Sequence, residues 1–443
     1  MAMAGQTIAP PPLYRDLFGA ALPGLPGAAH PFNRRQREAS FARFENLGLP
    51  GPKAEAWKYT PLAALAGLPF QLPAPVALGA AEIAPFLIGD AGATRLVFVN
   101  GRFDPSLSDT LSVASGATIA SLRLALEHGD DLDLPPDAAD RSLTALNQAL
   151  TTDGCLIRLA DHARLAGPVQ LLFVSLGQDQ PTLISPRNVI VLGDGAALDL
   201  VESHVGLAGG NNLTNLVSRV VVGRGAQLRH DRLQLGEVVG SLIGRTEYTI
   251  SADARLTQSL ATLGGALVRN EIGALVEGSN VELALNGLYL TREQQHIDNS
   301  IQVVHRAPGS VSNQFYKGVL DGRARAVFAG KIIVERDAQK TNAYQTNNNL
   351  LLSPDAEIDS KPELEIFADD VKCSHGATTG ELDERALFYL RSRGLDPEVA
   401  RCMLTFAFAS EVVERFGNTA LAAQARDALM RWLPGGHLLE GLA

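Results

Sequence analysis

Cysteine is scarce in this 443-residue chain: Cys155, Cys373 and Cys402 stand far apart and are the whole complement. Three dispersed thiols exclude a disulfide framework. No Cys-x-x-Cys pair occurs, so a zinc or iron–sulfur site made by this chain alone would be short of ligands. Positive charge is also short. Lys and Arg number 38 against 48 Asp and Glu, the net charge is −10 and the isoelectric point about 5.4. Neutralising phosphates requires clustered cations, so nucleic-acid binding is excluded. The nearest basic run, Arg34-Arg35-Gln36-Arg37, reads as a solvated helix face.

Long apolar runs are missing as well. No uninterrupted stretch reaches the roughly 18 residues of a membrane span. The piece from Leu17 to Ala29 is broken by Pro23 and Pro26, follows Asp16 and has no basic lead-in, so no secretory signal is expected. With the odd cysteine count, the expected compartment is the reducing cytoplasm. Nucleotide motifs are incomplete. "VLGDGAAL" and "VVGRGAQL" lack the third glycine and a following helix, and Gly330-Lys331 is followed by Ile332 rather than Ser or Thr. No ATP-binding P-loop is expected.

What is present is β-rich and repetitive. Apolar runs ending in Gly, Asp or Ser turns recur in "VIVLGDGAALDL", "RVVVGRGAQLRH", "EYTISADARLTQ", "GALVEGSNVELA", "QVVHRAPGSVSN", "KIIVERDAQKTN" and "NLLLSPDAEIDS". The turns fall near residues 194, 224, 252, 278, 308, 337 and 355. Most gaps are about 25 to 31 residues and the last about 18, a spacing that marks stacked repeats. Each unit is expected to hold two or three short strands, and none could bury its own inner face. Stacking the units in parallel creates one continuous core. The rival β-sandwich would need two-residue hairpin turns, which are scarce.

The flanks read differently. The first thirty residues are rich in Pro, Gly and Ala and predict a loose arm. A helix follows, with Asn33 as N-cap and Gly48 at its end; Trp57 and Tyr59 are expected to anchor the arm on the body. After Gly380 the periodicity is helical, with Asp383 and Asp396 as N-caps, Pro397 at the first helical position and Gly394 as a stop. The predicted class is therefore mainly β: a right-handed parallel β-helix core at 95–378, an N-terminal helical region at 1–94 and a C-terminal helical domain at 379–443.

One stretch carries chemistry. "FADDVKCSHGATTG" places Cys373 and His375 two positions apart after Asp369 and Asp370, at the junction of β and helical regions. On a strand, residues two apart share a face, which suits a metal ligand pair, a nucleophile with its base, or a plain strand end. Adjacent Asp369 and Asp370 would face opposite ways there. Any cluster at this point must borrow ligands from another chain. Cys155 and Cys402 lie in apolar segments and read as core. His296 and His305 read as surface or satisfied histidines.

At these residues the chain resembles a known family. "KPELEIFADDVKCSHGATTGELDERALFYLRSRGL", residues 361–395, resembles the signature of the SufD family, and "GLPGPKAEAWKYTPL", residues 48–62, resembles its N-terminal motif. The resemblance implies a non-catalytic scaffold subunit for iron–sulfur cluster assembly. It implies pairing through the β-helix with a SufB-like paralogue, and binding of a SufC-like ABC-type ATPase by the C-terminal helical domain. The C-S-H-G motif of the family matches Cys373 and His375. These become ligands, shared with the partner chain, for iron or a transient iron–sulfur cluster, with His375 in the leading role. Phe388, Tyr389, Arg391, Arg393 and Phe406 are the residues assigned to partner binding in the helical domain. A reduced flavin is a further cofactor that such a complex can hold. The long Pro/Ala-rich N-terminus departs from the family. The alternatives are a homodimeric structural β-helix without metal, and a β-helix carbohydrate-active enzyme, which would require an export signal and clustered carboxylates.

Overall fold

The computed structural model describes residues 7–51, 53–89, 92–109, 116–129, 141–236 and 240–439. From Arg187 to Gly380 the chain is a succession of long strands that alternate between two ten-stranded sheets. One sheet takes Ala197–Ala208, Gln227–Leu235, Arg255–Leu263, Glu282–Thr291, Val311–Leu320, Asn342–Leu351 and Lys372–Gly380. The other takes Arg187–Leu192, Asn212–Val222, Ser241–Ile250, Leu267–Val276, His296–His305, Arg325–Val334 and Glu357–Ile366. Neighbours within this part of each sheet are parallel. The result is a parallel β-solenoid of about eight turns with helices at both chain ends.

The repeat seen in the sequence has a simple origin. The turns near 194, 224, 252, 278, 308 and 337 each lead from the second sheet into the first, so they stack along one edge. The turn near 355 leads back the other way and lies on the opposite edge, which explains its shorter spacing. Each coil contains two long strands rather than two or three short ones.

Inward-facing side chains stack in register. Leu198, Leu228, Leu256 and Leu283 form one such column, and all belong to the main core. Two glycines set the width of the interior. A Cβ on Gly287 would lie 2.1 Å from the Tyr316 ring, and one on Gly318 would lie 2.2 Å from the Tyr289 ring. Each tyrosine fills the space its glycine leaves, close packing that tolerates no added methyl group.

Alternation of apolar and polar residues is weak because both outer faces are also covered. Helices Pro397–Val413 and Thr419–Trp432 pack Cys402, Ala409, Val412, Leu421 and Trp432 against Val201, Leu233, Ala261 and Leu288 of the first sheet. Main-chain contacts fix this docking. The buried Asp231 carboxylate accepts the Gly417 and Asn418 N–H groups at 2.7 Å each, and Lys317 donates to the Phe408 carbonyl at 3.1 Å. Asp383 and Asp396 cap their helices through the N–H groups of Arg385 and Glu398.

The N-terminal region covers the second sheet. Its first described residues are not a loose arm. Tyr14, Phe18 and Leu22, spaced four apart, bury one face of the Pro12–Ala21 helix and the turn after it against Phe41, Phe44 and Phe70. The beginning of the expected arm, residues 1–6, lies outside the described residues. The next helix starts at Pro31, so Asn33 is not its N-cap; its amide donates to the Leu126 carbonyl at 2.7 Å instead.

The segment around Trp57 clasps the sheet. Trp57 stacks on the Arg269 guanidinium at 3.9 Å, and Arg269 donates to the Ala56 carbonyl at 2.8 Å. Arg269 also pairs with Asp298 and Glu271, and the Thr60 hydroxyl bonds Asp298 and His296. Trp57 is thus the buried anchor, while Tyr59 stays half-exposed. No helix of the described residues is long and apolar enough to cross a membrane.

His305 lies inside the solenoid, with Nε2 2.9 Å from the Ser312 hydroxyl. Burial pushes its pKa down from 6.5 to about 4. The neutral ring is therefore favoured by folding. Its contribution is fully present above pH ~6.5 and is lost as pH falls toward ~4. Urea unfolding at pH 7 and pH 5 should show the native chain losing about 2 kcal/mol more than a His305→Gln variant over that interval. Equal losses in the two proteins would contradict the assignment.

Candidate functional site

Among the described residues the solenoid ends without a cap. Glu357–Ile366 and Lys372–Gly380 are the outermost strands of the two sheets, ten and nine residues long. Among the described residues no strand pairs with their outer edges. Long unpaired edges are templates for another chain.

Register identifies what lines this open end. Cys373 stands over Ala343, His375 over Gln345, Ala377 over Asn347 and Thr379 over Asn349. Across the interior, Ser360 stands over Phe328 and Pro362 over Gly330. Each underlying position faces the interior and is buried or is a glycine, so Cys373 and His375 occupy inner-face positions of a coil over which no described strand lies. Two residues of strand separate them by about 6.6 Å along the chain. Cys373 is half-buried against Ile332, Val334, Ala338, Ala343 and Ala368, whereas His375 is exposed. Asp369 and Asp370 are not on a strand. They sit in the exposed bend before it, so opposite-face geometry does not apply.

Below the open coil the interior is polar and hydrogen-bonded. Asn347 donates to the Tyr289 hydroxyl at 2.8 Å, Asn349 donates to Asn347 Oδ1 at 2.8 Å, and Ser360 donates to the same oxygen at 2.9 Å. Gln345 donates to Gln314 Oε1 at 2.8 Å. The Gln-x-Asn-x-Asn alternation at 345, 347 and 349 was the available signal for this floor, a period-2 polar pattern where the fold puts its core.

Deeper still, Glu202 meets His204, His230 at 3.0 Å and Arg232 at 3.1 Å, with the Tyr248 hydroxyl 2.8 Å from His230. Arg232 and the two imidazoles hold the Glu202 carboxyl well below its usual range against the opposing effect of burial. This cluster is neutralised internally, as a buried charge requires. Among the described residues, no group of three or more His, Cys, Asp or Glu side chains could hold a metal ion. Cys373 and His375 therefore fit iron or a cluster only as part of a shared ligand set.

The other expected partner residues divide into two groups. Phe388 and Tyr389 are 72% and 56% exposed on helix Glu384–Ser392, and Arg393 lies over the Tyr389 ring at 5.0 Å. Arg391 is exposed beside them. Phe406 belongs to the next helix and is half-buried against the core, apart from that solvent face. Cys155 and Cys402 are buried, as expected of core thiols.

Burial pushes the Cys373 thiol above its ordinary value, partly offset by a backbone hydrogen bond at Ala343. A nucleophilic role requires thiolate, so this shift opposes it. Alkylation of Cys373 by iodoacetamide at neutral pH, followed by peptide mass spectrometry, should run slower than that of an unstructured cysteine peptide, and its pH–rate profile should level off at a higher pH than the peptide's. Faster reaction than the peptide would restore the nucleophile reading.

Comparison with known proteins agrees with the architecture. The model of the SufBD core domain of the SUF iron–sulfur cluster assembly system matches residues 173–408, and that of the SufBD N-terminal region matches residues 12–171. The chain is 33% identical over 408 residues to the iron–sulfur cluster assembly protein SufD of Escherichia coli, covering 90% of this chain and 93% of that one. It is 32% identical over 412 residues to the iron–sulfur cluster assembly SufBD family protein slr0076 of Synechocystis, covering 90% of each. It is 36% identical over 290 residues to the chloroplastic protein ABCI7 of Arabidopsis thaliana, covering 64% of this chain and 61% of the other. Two domain matches in sequence along the chain, with near-complete coverage of relatives, place this protein in the SufBD family of iron–sulfur cluster assembly proteins.

Proposed function

We propose that this chain is a non-catalytic, SufD-like scaffold subunit of the cytoplasm whose open solenoid end is completed by a SufB-like paralogue. The observation that carries the reading is the uncapped last coil, with two unpaired strand edges beside Cys373 and His375. A partner that adds strands to those edges extends both sheets and lays its own side chains over the same interior. Two donors from this chain then become part of a ligand set large enough for iron or a nascent cluster, which is cargo here rather than a resident group. His375, exposed on the rim, is the leading ligand, and Cys373, packed against the wall, sits beside it.

ATP hydrolysis would come from another subunit, since this chain carries no P-loop sequence. The exposed aromatic pair Phe388 and Tyr389, flanked by Arg391 and Arg393, supplies a docking patch for a SufC-like ATPase. Aromatic and arginine side chains are the residue types that dominate such contacts.

The test has two parts. Native mass spectrometry of the complex isolated anaerobically should show this chain with a second β-helix chain and two ATPase copies; recovery only as a homo-oligomer would favour a metal-free homodimer. Within the intact complex, His375→Ala should lower cluster yield about tenfold or more while assembly persists. Wild-type yield would remove His375 from the ligand set.

A further inference from the structure

Gln345 is 1% exposed and lies directly beneath His375 in the parallel ladder. Its side chain crosses the interior to the opposite sheet, where Gly330 leaves room for it. A Cβ there would lie 2.2 Å from the Gln345 amide nitrogen. That nitrogen donates to Gln314 Oε1 at 2.8 Å. The amide oxygen has no hydrogen-bond partner among the described residues. A buried acceptor left unpaired is costly, so its neighbours should be asked for a donor.

The surroundings narrow the choice. Asn347 and Asn349, the next inward residues on the same strand, are engaged with Tyr289, Ser360 and each other. Gln345 Oε1 is the acceptor of this strand left over, one layer below His375. A histidine that ligates a metal through one ring nitrogen carries a hydrogen on the other, and that N–H needs an acceptor to fix tautomer and ring orientation. The Gln314 contact orients the Gln345 amide correctly for this. A flipped Gln345 amide would set its oxygen against Gln314 Oε1.

We infer that Gln345 is the positioning residue for His375: once a partner covers the last coil, its free Oε1 accepts one ring N–H, which fixes the imidazole over the interior and presents the other ring nitrogen to iron. This rests on the assignment of His375 as a ligand, but the contact itself can be tested without cluster assembly.

Two near-isosteric variants separate the roles. Gln345→Met removes the acceptor, and Gln345→Glu keeps a carbonyl-type acceptor. In the partner-bound complex, before iron is added and with this chain labelled with 15N-histidine, the His375 signal is assigned by its loss in His375→Ala and ring 15N shifts report the tautomer. The native chain and Gln345→Glu should hold one tautomer, and Gln345→Met should show a mixture. In the assembled complex, titration with ferrous iron should show a 10–100-fold loss of affinity in Gln345→Met and recovery in Gln345→Glu. A purely structural role would move thermal stability in the variants and leave the tautomer alone. An unchanged tautomer in Gln345→Met overturns the contact, and a changed tautomer with native iron affinity overturns its positioning role. If His375→Ala kept full cluster yield, the ligand assignment would fall while the tautomer measurement still decided the contact.

Discussion

A parallel solenoid satisfies each coil with the next, and its last coil has no next. That constraint governs this protein. Every interior position from the leucine column at Leu198 to the tyrosines at 289 and 316 is covered by the layer above it. At Glu357–Ile366 and Lys372–Gly380 the covering stops, while the backbone geometry that invites another layer continues. Solubility demands that such an edge be guarded or used. The charges Lys361, Glu363 and Glu365 guard the outer face of one terminal strand, yet the terminal strands keep ten and nine residues and no described strand pairs with their outer edges.

The same constraint gives the C-S-H-G segment its meaning. Cys373 and His375 occupy inward positions that would be core residues one coil earlier. A histidine is a poor choice for the floor of a sealed core unless its polar atoms are paired, as they are at His230 and Glu202. On an open rim it is free to serve a second chain. The helical additions at both chain ends cover the outer faces, and the N-terminal region reaches the outer face of one terminal strand through the Glu55–Lys361 pair at 2.7 Å. Asp231 and Lys317 tie the C-terminal helices down, and the Trp57–Arg269–Asp298 clasp ties down the N-terminal region.

Much of this was legible in the residues. The turn spacing disclosed a stacked β architecture, and Asp383, Asp396 and Pro397 marked the C-terminal helices where they are found. The N-terminal region was misread for a physical reason. Its Pro and Ala content suggested a loose arm, but Tyr14, Phe18 and Leu22 make a narrow apolar stripe whose burial outweighs weak local propensity. The number of strands per coil was also hidden, because covering both sides of a strand erases the alternation that would have shown its length. The polar floor under His375 escaped notice because Gln345, Asn347 and Asn349 look like loop composition until register turns them inward. The Glu202 cluster was invisible for the same reason: its members come from strands whose pairing only the fold reveals.

The central claim is that the uncapped edges are where a second chain adds its strands. Amide hydrogen exchange, with and without the SufB-like partner, tests it directly. Peptides covering 357–366 and 372–380 should gain protection on mixing, while the already paired strands at 227–235 and 255–263 should not change. Unaltered exchange in both terminal strands, with the complex formed, would contradict the account and place the partner elsewhere on the molecule.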